Sequence, residues 1–295
     1  MQDIMLRLWK VEKMSNNGKW YKLVFKQKQP IHIGWSKWGV IKETAILIPG
    51  QTMWGALVNA YILDKEVNNK TEIDNIKKHF ETITNFFPTS DKKGESFLKP
   101  KYKDGEFYLE NFSENKFRFY FVDTILQTAV EPILRKAKDE SLHELDYILP
   151  RPKHKSVRFN STLHWVGLIK IKEEYKDFLK ESLKIYIGGD VRYGFGELEL
   201  VDCSEADDNI KRKWQIENDK ISIPENENTL YFIEIDLLDG KEVEGEIVPI
   251  PEFDFTKNTP EMTDCKFYLN VGSKVENNIL DKSLIKGKLK NDNSG

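Results

Sequence analysis

The sequence is poor in cysteine: 295 residues contain two, Cys203 and Cys265, far apart and with no second pair. That excludes a disulfide-stapled scaffold and a CxxC metal half-site, and leaves two ordinary reduced thiols. Long hydrophobic runs are missing as well. No stretch approaches the about 20 apolar residues that a membrane-crossing helix needs, and the start, Met1-Gln2-Asp3, lacks the charged and apolar regions of a signal peptide. A cytoplasmic protein without a membrane partner is the expectation. There is no Asp/Glu/His cluster at metal spacing, so no cofactor is expected. An excess of positive charge is also lacking. The net charge of −3 excludes a wholly basic nucleic-acid binder and leaves a locally basic one open.

What is present fits a globular chain of one large domain or two ordinary ones, with 39% hydrophobic and 12% aromatic residues. Charge is unevenly spread. No acidic residue lies between Asp146 and Glu173, where Arg151, Lys153, Lys155, Arg158, Lys170 and Lys172 fall beside His154 and His164. Acid gathers later, from Glu205 to Glu246. One surface suited to a polyanion and another not suited to it is one reading of this asymmetry, and a solvated basic loop is the other.

The richest stretch is Ile187-Gly188-Gly189-Asp190-Val191-Arg192-Tyr193-Gly194-Phe195-Gly196-Glu197-Leu198, between an apolar run and an alternating one. It reads as strand, glycine-rich turn, strand. Four glycines exceed what a hairpin requires. Together with a cation, Arg192, and two flat rings, Tyr193 and Phe195, they suit phosphate contact and base stacking; a bulged hairpin whose rings cap the core is the plain alternative.

Residues 20–28 read as a strand, and a further strand is expected at 4–11. Gly34-Trp35-Ser36-Lys37-Trp38-Gly39 holds two indoles and a lysine between glycines, fit either for stacking on bases or for covering a small core. His32, just before it, reads as a structural histidine. Then Ile46-Leu47-Ile48-Pro49-Gly50-Gln51-Thr52-Met53-Trp54-Gly55-Ala56-Leu57 is a short strand, a Pro-Gly turn and a helix. Gln51 or Thr52 opens that helix, whose free amides favour an anion. Gly55 in its first turns implies close packing against a neighbouring backbone.

Residues 73–83 read as a second helix and 89–105 as an irregular insertion. Residues 116–122 alternate cations and rings as a strand does, and 128–158 form a proline-marked excursion. Residues 161–171 read as a strand and 173–181 as a helix. Residues 202–228 look like an acidic linker or loose edge in which Ile210 and Trp214 dock as a short helix. A strand is expected at 230–238 and disorder at 273–295. The fold class is α+β, built on ferredoxin-like units. The expected division is an RNA-binding domain over 1–202 with an insertion at about 89–160, an acidic region over 203–272 with at least one strand, and the tail.

Ile48-Pro49-Gly50-Gln51-Thr52-Met53-Trp54-Gly55-Ala56-Leu57 resembles the IPG-(S/T)-x-x-(K/R)-G-A-(L/F) signature of the RAMP superfamily of CRISPR-associated proteins. Gly188 to Gly196 resembles that superfamily's glycine-rich loop, GG-x-(R/K)-x-x-G-F-G. The resemblance covers residues 20–202. It implies a ferredoxin-like (RRM-like) RAMP fold with a mid-chain insertion and an extra C-terminal β region. It also implies a non-catalytic, guide-RNA-binding (crRNA-binding) subunit of a class 1 CRISPR effector complex in antiviral defence. With one glycine-rich loop the chain is most similar to the fifth Cas family, which holds the 5′ repeat-derived handle and caps the filament of backbone subunits. Target RNA and an effector nuclease are the further partners of such complexes. The tryptophan-bearing first motif looks closest to type III-D and type VII systems. Trp54 departs from the motif's basic residue, which moves the phosphate contact to the helix start or to Lys37. The RNA-binding residues so implied are Gly188, Gly189, Arg192, Tyr193, Gly194, Phe195, Gly196, Gln51, Thr52, Trp35, Lys37, Arg151, Lys153, His154, Lys155 and Arg158. Two other classes stay open: a metal-independent guide-processing endonuclease of the sixth Cas family, using His32 or His154, and a repeated backbone subunit that cuts target RNA.

Overall fold

The computed structural model describes residues 18–154, 162–238, 240–254 and 259–290. The strand expected at 4–11, together with Lys155 and Arg158, lies outside the described residues. In chain order the first part runs β1 (Lys19–Gln27), β2 (Gly34–Trp38), β3 (Ile41–Thr44), α1 (Gly50–Asp64), α2 (Lys70–His79) and β4 (Phe87–Thr89). It continues through β5 (Pro100–Lys103), β6 (Glu106–Leu109), β7 (Phe112–Ser113), α3 (Glu114–Phe121), β8 (Val122–Gln127), β9 (His143–Ile148), β10 (His164–Ile171), β11 (Lys184–Tyr186) and β12 (Glu197–Glu205).

A five-stranded antiparallel sheet in the order β11-β12-β1-β10-β4 is the centre of the molecule. Its middle strand β1 is apolar on both faces because both are covered. Tyr21, Leu23 and Phe25 enter one apolar cluster with α1 and α2, and Trp20 and Val24 enter a second with the C-terminal part. Each fully buried side chain of this kind contributes about 1.5–3 kcal/mol. Helix α2 starts where Asn69 caps it, its side chain accepting from the Thr71 and Glu72 amides, and ends on Lys77, Lys78 and His79, in keeping with the helix dipole.

Three local expectations are corrected. Residues 116–121 are not a strand: Ser113 caps α3 through the Lys116 amide, and Phe117 and Phe121, four apart, bury on one helix face. The alternation K-F-R-F-Y-F satisfied both periods, and tertiary burial chose the helical one. The helix expected over 173–181 is a single 3-10 segment, Glu173–Phe178. The insertion after Thr89 is partly ordered, with a β5–β6 hairpin and a buried Phe97.

The second part runs α4 (Asp208–Lys213), β13 (Ile216–Glu217), β14 (Lys220–Ile223), β15 (Phe232–Glu234), β16 (Val243–Glu244), β17 (Ile247–Asp254), β18 (Glu261–Leu269), β19 (Lys274–Val275), β20 (Ile279–Lys282), β21 (Leu284–Ile285) and β22 (Lys288–Leu289). The short helix after Ala206 docks through Trp214, which stacks on Phe97 with ring centroids 4.6 Å apart. It is packed structure rather than a loose edge. The disorder expected from residue 273 is also corrected: 274–289 supply four short strands, and Leu289 is fully buried beside Ile233. Short strands with few large apolar residues hide their order in sequence, because their partners are remote. No helix of the described residues is long and apolar enough to cross a membrane.

Candidate nucleic-acid interface

The glycine-rich turn closes between β11 and β12, and backbone bonds hold its ends. Ile187 N donates to Gly196 O at 3.0 Å, Gly196 N to Pro30 O at 2.8 Å, and Gly189 N to His32 O at 2.9 Å. At Gly188 φ is +72° and an added Cβ would stand 2.0 Å from the His32 carbonyl oxygen, so no other residue fits this approach. Between the anchors, residues 190–194 swing outward through a 3-10 turn, Val191–Tyr193. Tyr193 is 77% exposed. Arg192 is exposed too and makes no ion pair among the described residues.

Phe195 differs from its neighbour. It is 8% exposed and meets Tyr147 of β9 edge-on at 5.4 Å, so it packs the base of the turn and does not offer its ring to a base. His32 is buried as well. Its Nδ1 lies 2.7 Å from the Asp146 carbonyl and therefore donates, while its own carbonyl accepts from Gly189. The residue thus ties the turn to β9, the structural role expected of it.

Two residues beyond His32 the β2–β3 hairpin begins. Its register sets Lys37 directly opposite Lys42 and Trp38 opposite Ile41. Like charges facing each other across strands destabilise a hairpin by a few tenths of a kcal/mol to about 1 kcal/mol. Neither lysine makes an ion pair among the described residues, and an anion between them would relieve the repulsion. Trp38 is 69% exposed, whereas Trp35 leans on Phe232 with ring centroids 6.5 Å apart. Lys42 was not singled out in the sequence, although a turn centred on Gly39 and Val40 already pairs it with Lys37.

At the other flank β9 leads into the basic segment. Arg151 is exposed. Lys153 Nζ donates to the Val122 carbonyl at 2.7 Å, and the exposed His154 ring stacks on the exposed Phe119 at 5.3 Å. The turn, the β2–β3 hairpin and the end of β9 thus share the Pro30–His32 segment as their common support, with Arg192, Tyr193, Lys37, Trp38 and Arg151 exposed and Lys42 half-buried.

The first motif lies elsewhere. Gly50 N donates to the buried Asn85 Oδ1 at 2.8 Å, and Asn85 Nδ2 donates to Leu230 O at 2.9 Å and Gly287 O at 3.1 Å. A Cβ on Gly50 would stand 2.6 Å from Gly287 N. The first amide of the helix, at Gly50, is therefore taken by Asn85 beneath the C-terminal hairpin and is not presented to an anion, while Gln51 and Thr52 beside it are half-buried. Gly55, expected to be closely packed, has open space where a Cβ would go; the close approach belongs to Gly50. Lys286 Nζ sits 3.7 Å above the Trp54 ring, whose Nε1 donates to the Lys77 carbonyl. Burial lowers the Lys286 pKa. Among the described residues no three of His, Cys, Asp and Glu converge to hold a metal ion.

No family model and no curated protein matches the sequence. Solved structures do match. The chain is similar to a chain of the type III-B Cmr-beta complex bound to cognate target RNA and AMPPnP: identity is 14%, 87% of this chain and 86% of that chain are covered, and the TM-score is 0.56. The same complex bound to cognate target RNA alone gives 14% identity, 86% coverage of each chain and a TM-score of 0.56. The protein is thus a mixed α+β chain that shares its fold with a chain of the type III-B Cmr-beta complex.

Proposed function

We propose that this chain is a guide-RNA-binding member of the RAMP superfamily, the subunit of a class 1 CRISPR effector complex that holds the 5′ repeat-derived handle and caps the backbone filament. The observation that carries the reading is the Gly188–Gly196 turn, anchored at both ends by backbone bonds while Arg192 and Tyr193 stand free in solvent. A cation for a phosphate and a flat ring for a base, on a glycine backbone that lets a strand come close, is the chemistry of single-stranded RNA recognition. Lys37 and Lys42 extend it with a second phosphate position. The spatial order β12-β1-β10-β4, fourth, first, third and second along the chain with α1 after the first strand, supports a ferredoxin-like unit. The shared fold with the Cmr-beta chain supports the class of complex.

The role is binding rather than catalysis. His32, one candidate acid–base group, is buried and bonded to the Asp146 carbonyl, which speaks against guide processing through it; His154 is exposed with its ring stacked on Phe119, and is the group to test. The tryptophan at position 54 is what draws the chain toward the type III-D and type VII forms. Purifying the chain with its native nucleic acid, sequencing the RNA and counting subunits per strand tests the reading. One copy per guide, with protection of the 5′ handle, is expected; several copies per guide would make it a backbone subunit. Loss of precursor cleavage in His154→Ala would make it a processing enzyme.

A further inference from the structure

Asp190 stands at the head of the protruding turn, between Gly189 and the 3-10 segment that carries Arg192 and Tyr193. It is half-buried, and its side chain makes no hydrogen bond and no ion pair among the described residues. An aspartate just before a helical turn ordinarily sets its carboxylate against the amides of that turn. Here the backbone is left-handed, with φ 56° and ψ 26°, and no such cap bond forms. The carbonyl alone is used, accepting from Tyr193 N at 2.8 Å.

The backbone does not require this charge. Asparagine and glycine adopt the left-handed region too, and either would keep the turn without a negative group. On a surface that meets a polyanion, a spare carboxylate repels phosphate and weakens binding unless a group of the ligand uses it. Arg192, two residues on, does not neutralise it, since neither residue forms an ion pair among the described residues. What the carboxylate offers is a pair of acceptor oxygens and no donor. Guanine alone among the RNA bases has two adjacent donors on its pairing edge, N1–H and N2–H. Adenine and cytosine each place a ring-nitrogen acceptor beside their amine, and uracil flanks its N–H with carbonyls, so each would set an acceptor against a carboxylate oxygen. Tyr193, 77% exposed in the same turn, supplies a flat ring, so stacking and edge recognition come from one element.

We propose that Asp190 sets base specificity: its carboxylate accepts from N1–H and N2–H of one unpaired guanine in the bound strand, while Tyr193 stacks on a base of that strand. The inference rests on the reading of this turn as an RNA site and deepens it, from a grip indifferent to sequence to one that selects a guanine.

The full-length chain is titrated with oligouridylates of about ten nucleotides, unsubstituted or carrying a single guanosine, inosine or adenosine at each position in turn. Guanosine at one position is expected to bind about tenfold more tightly than adenosine there, as a good bidentate pair does. Inosine, which keeps N1–H and lacks the N2 amine, should forfeit most of that gain. Asp190→Asn keeps the backbone conformation but turns an amide N–H toward one of the guanine donors. The variant should lose the guanosine preference and bind plain oligouridylate more tightly than the native chain, because a charge that repels phosphate is gone; a purely structural aspartate moves neither quantity. Equal affinity for all the oligomers, or a preference that survives Asp190→Asn, overturns the proposal and leaves RNA binding standing. Failure to bind any oligomer overturns the functional reading together with the proposal. A preference that vanishes on adding EDTA assigns the carboxylate to a metal bridge and overturns direct contact with the base. If the variant does not fold, the native chain decides by itself: equal affinities for guanosine and inosine overturn the two-donor contact.

Discussion

The Pro49–Gly50 turn and the Gly188–Gly196 turn use the same residue for opposite ends. At Gly50 the missing side chain admits the molecule's own backbone, Lys286-Gly287, and a buried asparagine consumes the free amide. At Gly188 it admits the His32 carbonyl, and that contact carries a protruding segment with an arginine unpaired among the described residues and an exposed tyrosine. Glycine reports close approach in both places. What separates a packing contact from a binding surface is whether cations and rings nearby are left without internal partners. By that criterion the proposed interface takes Arg192, Tyr193, Lys37 and Lys42 and leaves out Gln51 and Thr52.

The comparison is broken most forcefully at Asn85. Asn85→Ala orphans the Gly50 amide and the Leu230 carbonyl, while Gly287 O keeps its bond from Phe232 N; at about 1–3 kcal/mol for each orphaned group, a stability loss of about 2 kcal/mol or more is expected in urea unfolding. RNA affinity per folded molecule should hardly change; a selective loss of affinity at unchanged stability would return the helix start to the site. Tyr193→Ala is the mirror experiment. Loss of one base stack costs about 1–3 kcal/mol of RNA binding, with unfolding unaltered, whereas Phe195→Ala should destabilise the fold because that ring is buried against Tyr147. Equal binding losses from the two with stability intact would mean that both rings stack on RNA. Lys42→Ala is expected to stabilise the free protein by a few tenths of a kcal/mol, through relief of the charge pair, and to weaken RNA binding. A variant that is neutral on both counts removes the hairpin from the interface.

The smallest effect is a pH dependence confined to the C-terminal hairpin. Burial opposes ionisation of Glu252, but hydrogen bonds and charge from Lys290 and Lys288 outweigh it and hold the carboxyl at about 2, below its ordinary 4.5. A depressed carboxyl stabilises the fold above its unfolded pKa, and that contribution drains away as pH falls from 4.5 toward 2. Melting temperature should decline over that interval, and Glu252→Gln should flatten the decline. An unchanged slope would mean that the ion pairs do not hold β22.

Much of this was legible in the sequence. The glycine-rich turn between two strands, the helix after Pro49-Gly50, and the docking of Trp214 follow from spacing and residue type. Lys42 could have been read from the hairpin register around Gly39. Asn85 could not: its three partners lie at residues 50, 230 and 287, and no local pattern brings them together. The burial of Phe195 is equally invisible, because Phe195 and Tyr193 differ only in what β9 places beneath them.

The most direct test of the interface is a salt titration of guide-RNA binding by the native chain, Arg192→Ala and Gln51→Ala. Arg192→Ala should bind about tenfold more weakly at moderate salt, with the slope of log K against log salt reduced by about one phosphate contact, and Gln51→Ala should follow the native line. Native affinity and native slope for Arg192→Ala would contradict the assignment of the glycine-rich turn to RNA.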